Sequence, residues 1–251
     1  MKNVNMPYEE PSNEREQFQK PAVSNAVIRR LPRYFRYLRE LMRQGKTRTS
    51  SAELSNIMNV TASQIRQDLN CFGGFGQQGY GYNVNYLYAK ICELLGVGEG
   101  FHAIVIGAGN LGRALVKSPM FEKRGVDVIG MFDIDPEIVD TNIGGVKVYD
   151  IRGLRAFCDM NKVDIAVLTL PKEVSDEIVE LVVKLGIPAL WNFTGKEYMI
   201  DDGKTIVEEI HIGDSLMTLC YELSQRRLAE AGRGDDDDTY GIEAFDDFDG
   251  K

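Results

Sequence analysis

Residues 104–112 read Ile-Val-Ile-Gly-Ala-Gly-Asn-Leu-Gly, an apolar run ending in Gly107, Gly109 and Gly112 that passes directly into a helical pattern from Arg113 to Val116. Glycines at this spacing let the backbone turn tightly and approach a pyrophosphate, whose charge then rests on the N–H groups of a helix N-terminus. The expected phosphate-facing residues are Gly107, Ala108, Gly109, Asn110, Leu111 and Gly112. Asp133 follows 26 residues after Gly107, at the end of a second strand-like run, Met131-Phe132-Asp133. A carboxylate there accepts from ribose hydroxyls and repels a 2'-phosphate, which favours NAD over NADP. Asp133-Ile134-Asp135-Pro136 is also good turn sequence, so a purely local role for Asp133 is the competing expectation.

Groups for redox catalysis are harder to find. Hydride transfer needs a positioned proton donor or acceptor, commonly His, Lys or Tyr. The two histidines are His102, expected ahead of the first strand and away from the cofactor, and His211, expected beyond the last strand, where it could approach a nicotinamide. Within residues 101–212 no Tyr-x-x-x-Lys pair or paired carboxylates stand out, although Tyr149 and Lys172 lie near strand ends. Cys71, Cys92, Cys158 and Cys220 are scattered without a CxxC pair, which argues against a zinc site or a disulfide framework and for reduced packing residues. No apolar run approaches the roughly 18 residues that span a bilayer, and residues 1–20 are unlike a signal peptide, so a cytosolic protein is expected.

These residues need elements to hold them. Beyond residue 101, strand-like runs alternate with helical ones: 103–106, 111–121, 126–132, 136–139, 146–149, 154–161, 165–170, 172–185 and 188–193. Such alternation predicts a parallel sheet covered by helices. Ahead of it, apolar residues from Val27 to Met42 mark a helical stripe that Gly45 stops; Pro32 interrupts it and is placed at the first turn of a second helix running to about Gln44. Thr49-Ser50-Ser51 then caps a short helix bearing Leu54, Ile57 and Met58. Asn59-Val60 forms a turn. Thr61-Ala62-Ser63 caps another helix with Ile65 and Leu69 inward and Ser63, Gln64, Arg66 and Gln67 outward. Two short helices of this kind make a helix-turn-helix, and Gln and Arg suit adenine and guanine edges in the major groove. Residues 72–82 alternate glycines with aromatics, as in a hairpin wing after a recognition helix.

Charge divides along the 251-residue chain. Residues 23–90 hold ten basic and three acidic side chains, a balance of +7; residues 229–251 hold nine acids against two bases, a balance of -7. The predicted organisation is a disordered leader (1–22), a DNA-binding head (23–85), a connecting helix and hinge (86–100), a nucleotide-binding body (101–212), a terminal amphipathic helix (213–228) and an acidic disordered tail (229–251). That helix carries Leu216, Leu219, Cys220 and Leu223 on one stripe, either capping its own domain or reaching into a partner.

The chain resembles the Rex family of redox-sensing transcriptional repressors from about Val23 to Arg227. The resemblance rests on Arg30-Leu31-Pro32-Arg33-Tyr34, Arg48-Thr49-Ser50-Ser51-Ala52-Glu53-Leu54, Gln64-Ile65-Arg66-Gln67-Asp68-Leu69, Gly79-Tyr80-Gly81-Tyr82-Asn83-Val84, the glycine turn, Phe132-Asp133-Ile134-Asp135, Leu168-Thr169-Leu170-Pro171 and Trp191-Asn192-Phe193. It implies an α/β homodimer: an N-terminal winged-helix domain, a Rossmann doubly wound parallel sheet, and a C-terminal helix swapped so that both nicotinamides face the subunit interface. Such proteins bind palindromic operators when NADH is scarce, release them when NADH binds, and are not enzymes. The DNA-facing set becomes Arg29, Arg30, Arg48, Ser50, Ser51, Thr61, Ser63, Gln64, Arg66, Gln67, Gln77, Gln78 and Tyr80.

NAD+ and NADH share the half of the cofactor that Gly107–Gly112 and Asp133 hold, and equal affinity shifts no equilibrium. Discrimination must come from the nicotinamide end, where the oxidised ring is cationic. Candidates are Ser118, Pro171, Asn192, Phe193, His211 and Ile212, with Arg36 and His211 as the switch between head and body. Four residues depart from the family pattern: Gln77-Gln78 stands where many relatives have a basic pair, and Ser118 and His211 where relatives often carry Tyr and Asp. The competing readings are an NAD-dependent dehydrogenase with an accessory head and a CoA-type nucleotide-binding module.

Overall fold

The computed structural model describes residues 24–71, 76–77 and 81–231. The leader, Gln78 and Tyr80 in the wing, and residues 232–251 of the acidic tail lie outside them. The chain divides between Glu99 and Gly100 into two compact units.

The first unit opens with α1 (Asn25–Arg43), which runs unbroken through Pro32. The expected break at Pro32 is therefore corrected. Pro32 has no N–H to give the Ile28 carbonyl, but both residues are exposed, so water can take that bond, while Leu31, Tyr34, Phe35 and Leu38 anchor the helix on either side. Gly45 ends α1 as expected: at φ 73° it lets its own N–H reach the Met42 carbonyl and that of Lys46 reach Leu41. A short strand, β1 (Arg48–Thr49), leads to α2 (Ser51–Met58) and α3 (Ala62–Asn70), capped by the Ser50 and Thr61 hydroxyls, which accept from the Glu53 and Gln64 amides. Asn59 makes the turn between them in the left-handed region.

The wing strands β2 (Gly76–Gln77) and β3 (Gly81–Asn83) pair antiparallel, and β1 joins the other edge of β3. Helix α4 (Val84–Leu94) follows at once. It was expected to connect the domains, yet Val84, Leu87 and Ile91 enter the same core as Leu31, Tyr34, Leu54, Ile65 and Leu69. Three short helices and a small sheet offer too little apolar surface, and α4 completes the head's core.

The second unit is a seven-stranded sheet in the order β10-β9-β8-β4-β5-β7-β6. Its elements are β4 (Phe101–Ile106), α5 (Asn110–Lys117), β5 (Val126–Asp133), β6 (Asn142–Ile143), β7 (Val146–Asp150), α6 (Leu154–Met160), β8 (Ile165–Leu168), α7 (Ser175–Lys184), β9 (Ala189–Asn192), β10 (Ile206–Glu209) and α8 (Ile212–Ala231). All pairings are parallel except β6 with β7. Counted from β4, the parallel strands follow the order 3-2-1-4-5-6, with the reversal between β4 and β8. The run 136–139 forms turns rather than the expected helix, because Asp140 at φ 66° bends the chain into the β6–β7 hairpin.

Two apolar layers flank the sheet. Helices α6 and α7 pack Leu154, Val179 and Val182 against Ile104, Ala166 and Leu190. On the other face, Val116 of α5 packs against Val105, Met131 and Val167. Over β8, β9 and β10 no helix among the described residues covers that second face, and an open apolar groove of about 390 Å³ runs along Phe121, Val126, Ile165, Trp191 and Ile206. Helix α8 does not cover it, and residues 213–230 of this helix are exposed along its whole length.

Candidate nucleotide and nucleic-acid sites

Sheet register assembles the nucleotide site. Phe132, Ile106, Leu168, Asn192 and Glu209 lie side by side across five strands. The next residue on each strand forms the carboxyl-end rim: Asp133, Gly107, Thr169, Phe193 and Ile210. Asp133 and Phe193 are three strand spacings apart, about 14 Å. Ligands of open α/β sheets lie along this rim, at the reversal of strand order.

The three glycines of the turn have different jobs. At Gly107, φ is 103° and a Cβ would stand 2.7 Å from the Thr169 carbonyl oxygen. A Cβ on Gly112 would meet the Gly107 carbonyl oxygen at 2.1 Å, so helix and turn close on each other there. Gly109, the N-cap of α5, would place a Cβ with no atom within 4 Å. Packing thus explains Gly107 and Gly112, whereas Gly109 opens on free space. Thr169 Oγ1 donates to the Gly107 carbonyl at 2.8 Å, and Arg113 Nε to the Ala108 carbonyl at 2.6 Å. Neither residue stood out in the sequence, since a hydroxyl after a strand and an arginine in a helix carry no signal of their own.

Asp133 takes the local turn role and a second one beside it. One oxygen accepts from the Ile134 and Asp135 amides at 2.8 and 3.0 Å, closing a turn, and the other accepts from Ala108 N–H at 2.6 Å. The carboxylate therefore braces the glycine turn and retains acceptor capacity for a ribose hydroxyl.

Of the nicotinamide candidates, Pro171, Phe193, His211 and Ile212 follow the ends of β8, β9 and β10, on the rim. Phe193 packs edge-on against Trp191 with ring centroids 4.7 Å apart, Ile212 is exposed, and His211 Nε2 lies 3.8 Å from Glu197. Asn192 is wholly buried; its amide nitrogen donates to the Lys196 carbonyl at 2.6 Å and to Glu209, while its oxygen accepts from the Thr194 amide and hydroxyl. Its side chain shapes the 193–197 loop and has no atom left over for a ligand, which corrects the expected contact. Ser118 is the C-cap of α5, about 12 Å along the helix from the turn. Tyr149 is stacked on Phe132 in the core, and His102 lies within β4 at its amino end, with Nδ1 3.1 Å from the Lys162 carbonyl oxygen. Among the described residues, no three His, Cys, Asp or Glu side chains converge on a metal site.

On the head, Arg29, Arg36, Arg48, Ser50, Thr61, Ser63, Arg66 and Gln67 are exposed. Arg66 Nη1 donates to Ser51 Oγ at 3.1 Å, joining α3 to α2. Arg30 and Gln64 are turned elsewhere. Arg30 makes a two-pronged pair with Asp68, both contacts at 2.7 Å, and Gln64 Nε2 donates to the same carboxylate at 2.9 Å. The Tyr34 hydroxyl supplies a fourth bond at 2.9 Å. Asp68 is fully buried, and a buried carboxylate gathers donors because its charge is otherwise unsolvated. This corrects the outward placement of Gln64. Burial opposes ionisation of Asp68, but the bonds from Arg30, Gln64 and Tyr34 outweigh it and hold the carboxyl below its usual range; burial and the Asp68 bond push the Tyr34 hydroxyl up. The signal in the sequence was Asp68 standing between Ile65 and Leu69, on the inner face of α3.

A winged-helix head joined to a doubly wound nucleotide-binding body defines a ligand-responsive transcriptional regulator. The family described as "Putative DNA-binding protein N-terminus" matches residues 22–70, and the one described as "CoA binding domain" matches residues 100–195. The redox-sensing transcriptional repressor Rex of Caldicellulosiruptor saccharolyticus is 47% identical over 211 residues, covering 84% of this chain and 96% of the relative. Rex of Thermoanaerobacter pseudethanolicus is 47% identical over 216 residues, covering 86% and 96%. The chain belongs to the Rex family of redox-sensing transcriptional repressors. Among solved structures, RSP in complex with β-NAD+ and operator DNA aligns at a TM-score of 0.77 and 47% identity, covering 84% of this chain and 97% of that one. RSP with β-NADH aligns at 0.76 and 43% identity, covering 84% and 98%. These likenesses favour the repressor reading over the dehydrogenase.

Proposed function

We propose that this protein is a cytoplasmic homodimer that binds palindromic operator DNA, releases it when NADH binds, and turns over no substrate. The observation that carries the reading is the pairing, in one chain, of a capped recognition helix with a glycine turn whose middle residue opens on free space. The rim from Asp133 to Phe193 suits a dinucleotide, and RSP has been solved with both cofactor forms and with operator DNA. On this reading Gly107–Gly112 and Asp133 anchor either form, and Pro171, Phe193, His211 and Ile212 meet the nicotinamide, where the two forms differ in charge. Ser118, Arg36 and His211 carry the signal between cofactor and head.

The bare sheet face supports the homodimer. A doubly wound sheet is covered on both sides, yet the groove over β8–β10 has no helix, and α8 exposes Leu216, Leu219 and Leu223. Exchange of α8 between two copies satisfies both deficits. Arg29, Arg48, Ser50, Thr61 and the wing residues Gln77, Gln78 and Tyr80 then meet the DNA backbone, with α3 in the major groove. The test is DNA-binding anisotropy with NADH, NAD+ and CoA titrated separately. Release by NADH alone is expected; equal release by NAD+ and NADH would overturn the sensor, and release by CoA would favour the other nucleotide class.

A further inference from the structure

The exposed side of α3 separates residues free to read bases from residues that fasten the helix. Ser63, Gln67 and Asn70, spaced four and three apart, share one face, and all three are exposed. With Arg66 and Cys71 they line one shallow depression of mixed polar and apolar surface. From Ser63 to Asn70 the helix rises about 10 Å, roughly three base-pair steps. Gln67 and Asn70 both end in amides, which bind adenine through a donor and an acceptor on the same edge.

Gln64 sits one turn from this stripe but is bound elsewhere. To read adenine, its amide would need both N–H and C=O aimed at one base. Its nitrogen instead donates to the buried Asp68 carboxylate, which also holds Arg30 of α1 by two bonds and Tyr34 by one. Turning Gln64 outward breaks a charge-assisted bond to an acceptor that water does not reach. Asp68 at the same time ties α3 to α1, so it sets the rotation of α3 about its own axis and hence which side chains enter the groove.

We infer that Ser63, Gln67 and Asn70 form the base-reading stripe, that Arg66 is braced beside it by Ser51, and that Gln64 is a positioning residue kept from readout by Asp68. This rests on the operator-binding reading above. The test selects duplexes from a randomised library with the full chain and its Gln64→Ala, Gln67→Ala, Asn70→Ala and Asp68→Asn variants, recording preference base by base. NADH binding and thermal melts are measured alongside. Gln67→Ala and Asn70→Ala should each flatten the preference at one base position about tenfold. Gln64→Ala, which removes one of the four bonds to Asp68, should abolish the preference at no single position, any weakening being shared among several, and Asp68→Asn should flatten several positions together while NADH affinity holds. A single-position loss in Gln64→Ala, or an Asn70→Ala profile identical to the parent, would overturn the assignment. Should Asp68→Asn fail to fold, the three alanine variants decide. A parent chain that selects no preferred sequence would instead overturn the operator reading itself.

Discussion

A single buried carboxylate decides how much of the head's positive charge is available. Arg30 counts as basic in the sequence, but the Asp68 carboxylate cancels its charge, whereas Arg33 keeps its charge and is oriented by its bond to the Met58 carbonyl at the end of α2. Asp68→Asn should destabilise the head by about 2 kcal/mol at neutral pH, below the usual cost of breaking a buried pair because Arg30 is 26% exposed and can rehydrate. The Asp68 carboxyl is held below its unfolded value, so its stabilisation is present above the ordinary carboxylate range and disappears as pH falls through the folded value. Thermal melts of parent and variant should therefore converge in acid; a gap that stays constant to pH 2 would contradict the account. The glycine turn makes a paired prediction. Gly109→Ala should melt within about 1 kcal/mol of the parent yet lose NADH affinity tenfold or more, whereas Gly112→Ala should lose several kcal/mol of stability, because its Cβ meets backbone. Melting and NADH fluorescence titration separate the two. The glycine turn was legible because its spacing is fixed by tight backbone packing; the hydrogen-bond partners of Asp68, Thr169 and Asn192 were not, since most of them are distant in sequence and met only through folding.

At the level of elements, alternation of apolar runs was enough to place five of the six parallel strands, because buried strands read as continuous hydrophobic stretches; it missed the half-exposed edge strand β10 and did not set the strand order, which only the family resemblance implied. It failed at Pro32 and at 136–139. In α1 the apolar stripe on both sides of Pro32 outweighs one lost backbone bond, and no local rule supplies that comparison. Pro32→Ala restores the bond to Ile28 and should raise the head's stability by about 1 to 3 kcal/mol, read as a higher melting temperature. The stripe on α8 left two outcomes open, and periodicity does not choose between them: an apolar face looks the same whether its partner is its own sheet or another copy's. Leu219→Glu with Leu223→Glu should leave far-ultraviolet circular dichroism of the body nearly intact and shift the particle to monomer in sedimentation velocity. A dimer that survives both substitutions would remove α8 from the interface.

For the molecule as a whole, the two units communicate only as a coupling free energy, and coupling is reciprocal. Whatever factor NADH subtracts from operator affinity, operator must subtract from NADH affinity; titrating NADH fluorescence with and without saturating operator measures it directly. A factor of about 5 to 150 is the usual range for such coupling, and unequal factors in the two directions would show that another equilibrium, such as dimerisation, intervenes. That equilibrium gives the bare helix a cellular meaning. A single protomer carries a 20-residue helix exposed along its length, so on the proposed exchange an unpartnered copy is the natural target of proteases that cut exposed, fraying segments. Quality control would then clear single protomers and spare pairs, and the amount of repressor in a cell would be set by how quickly its copies find each other.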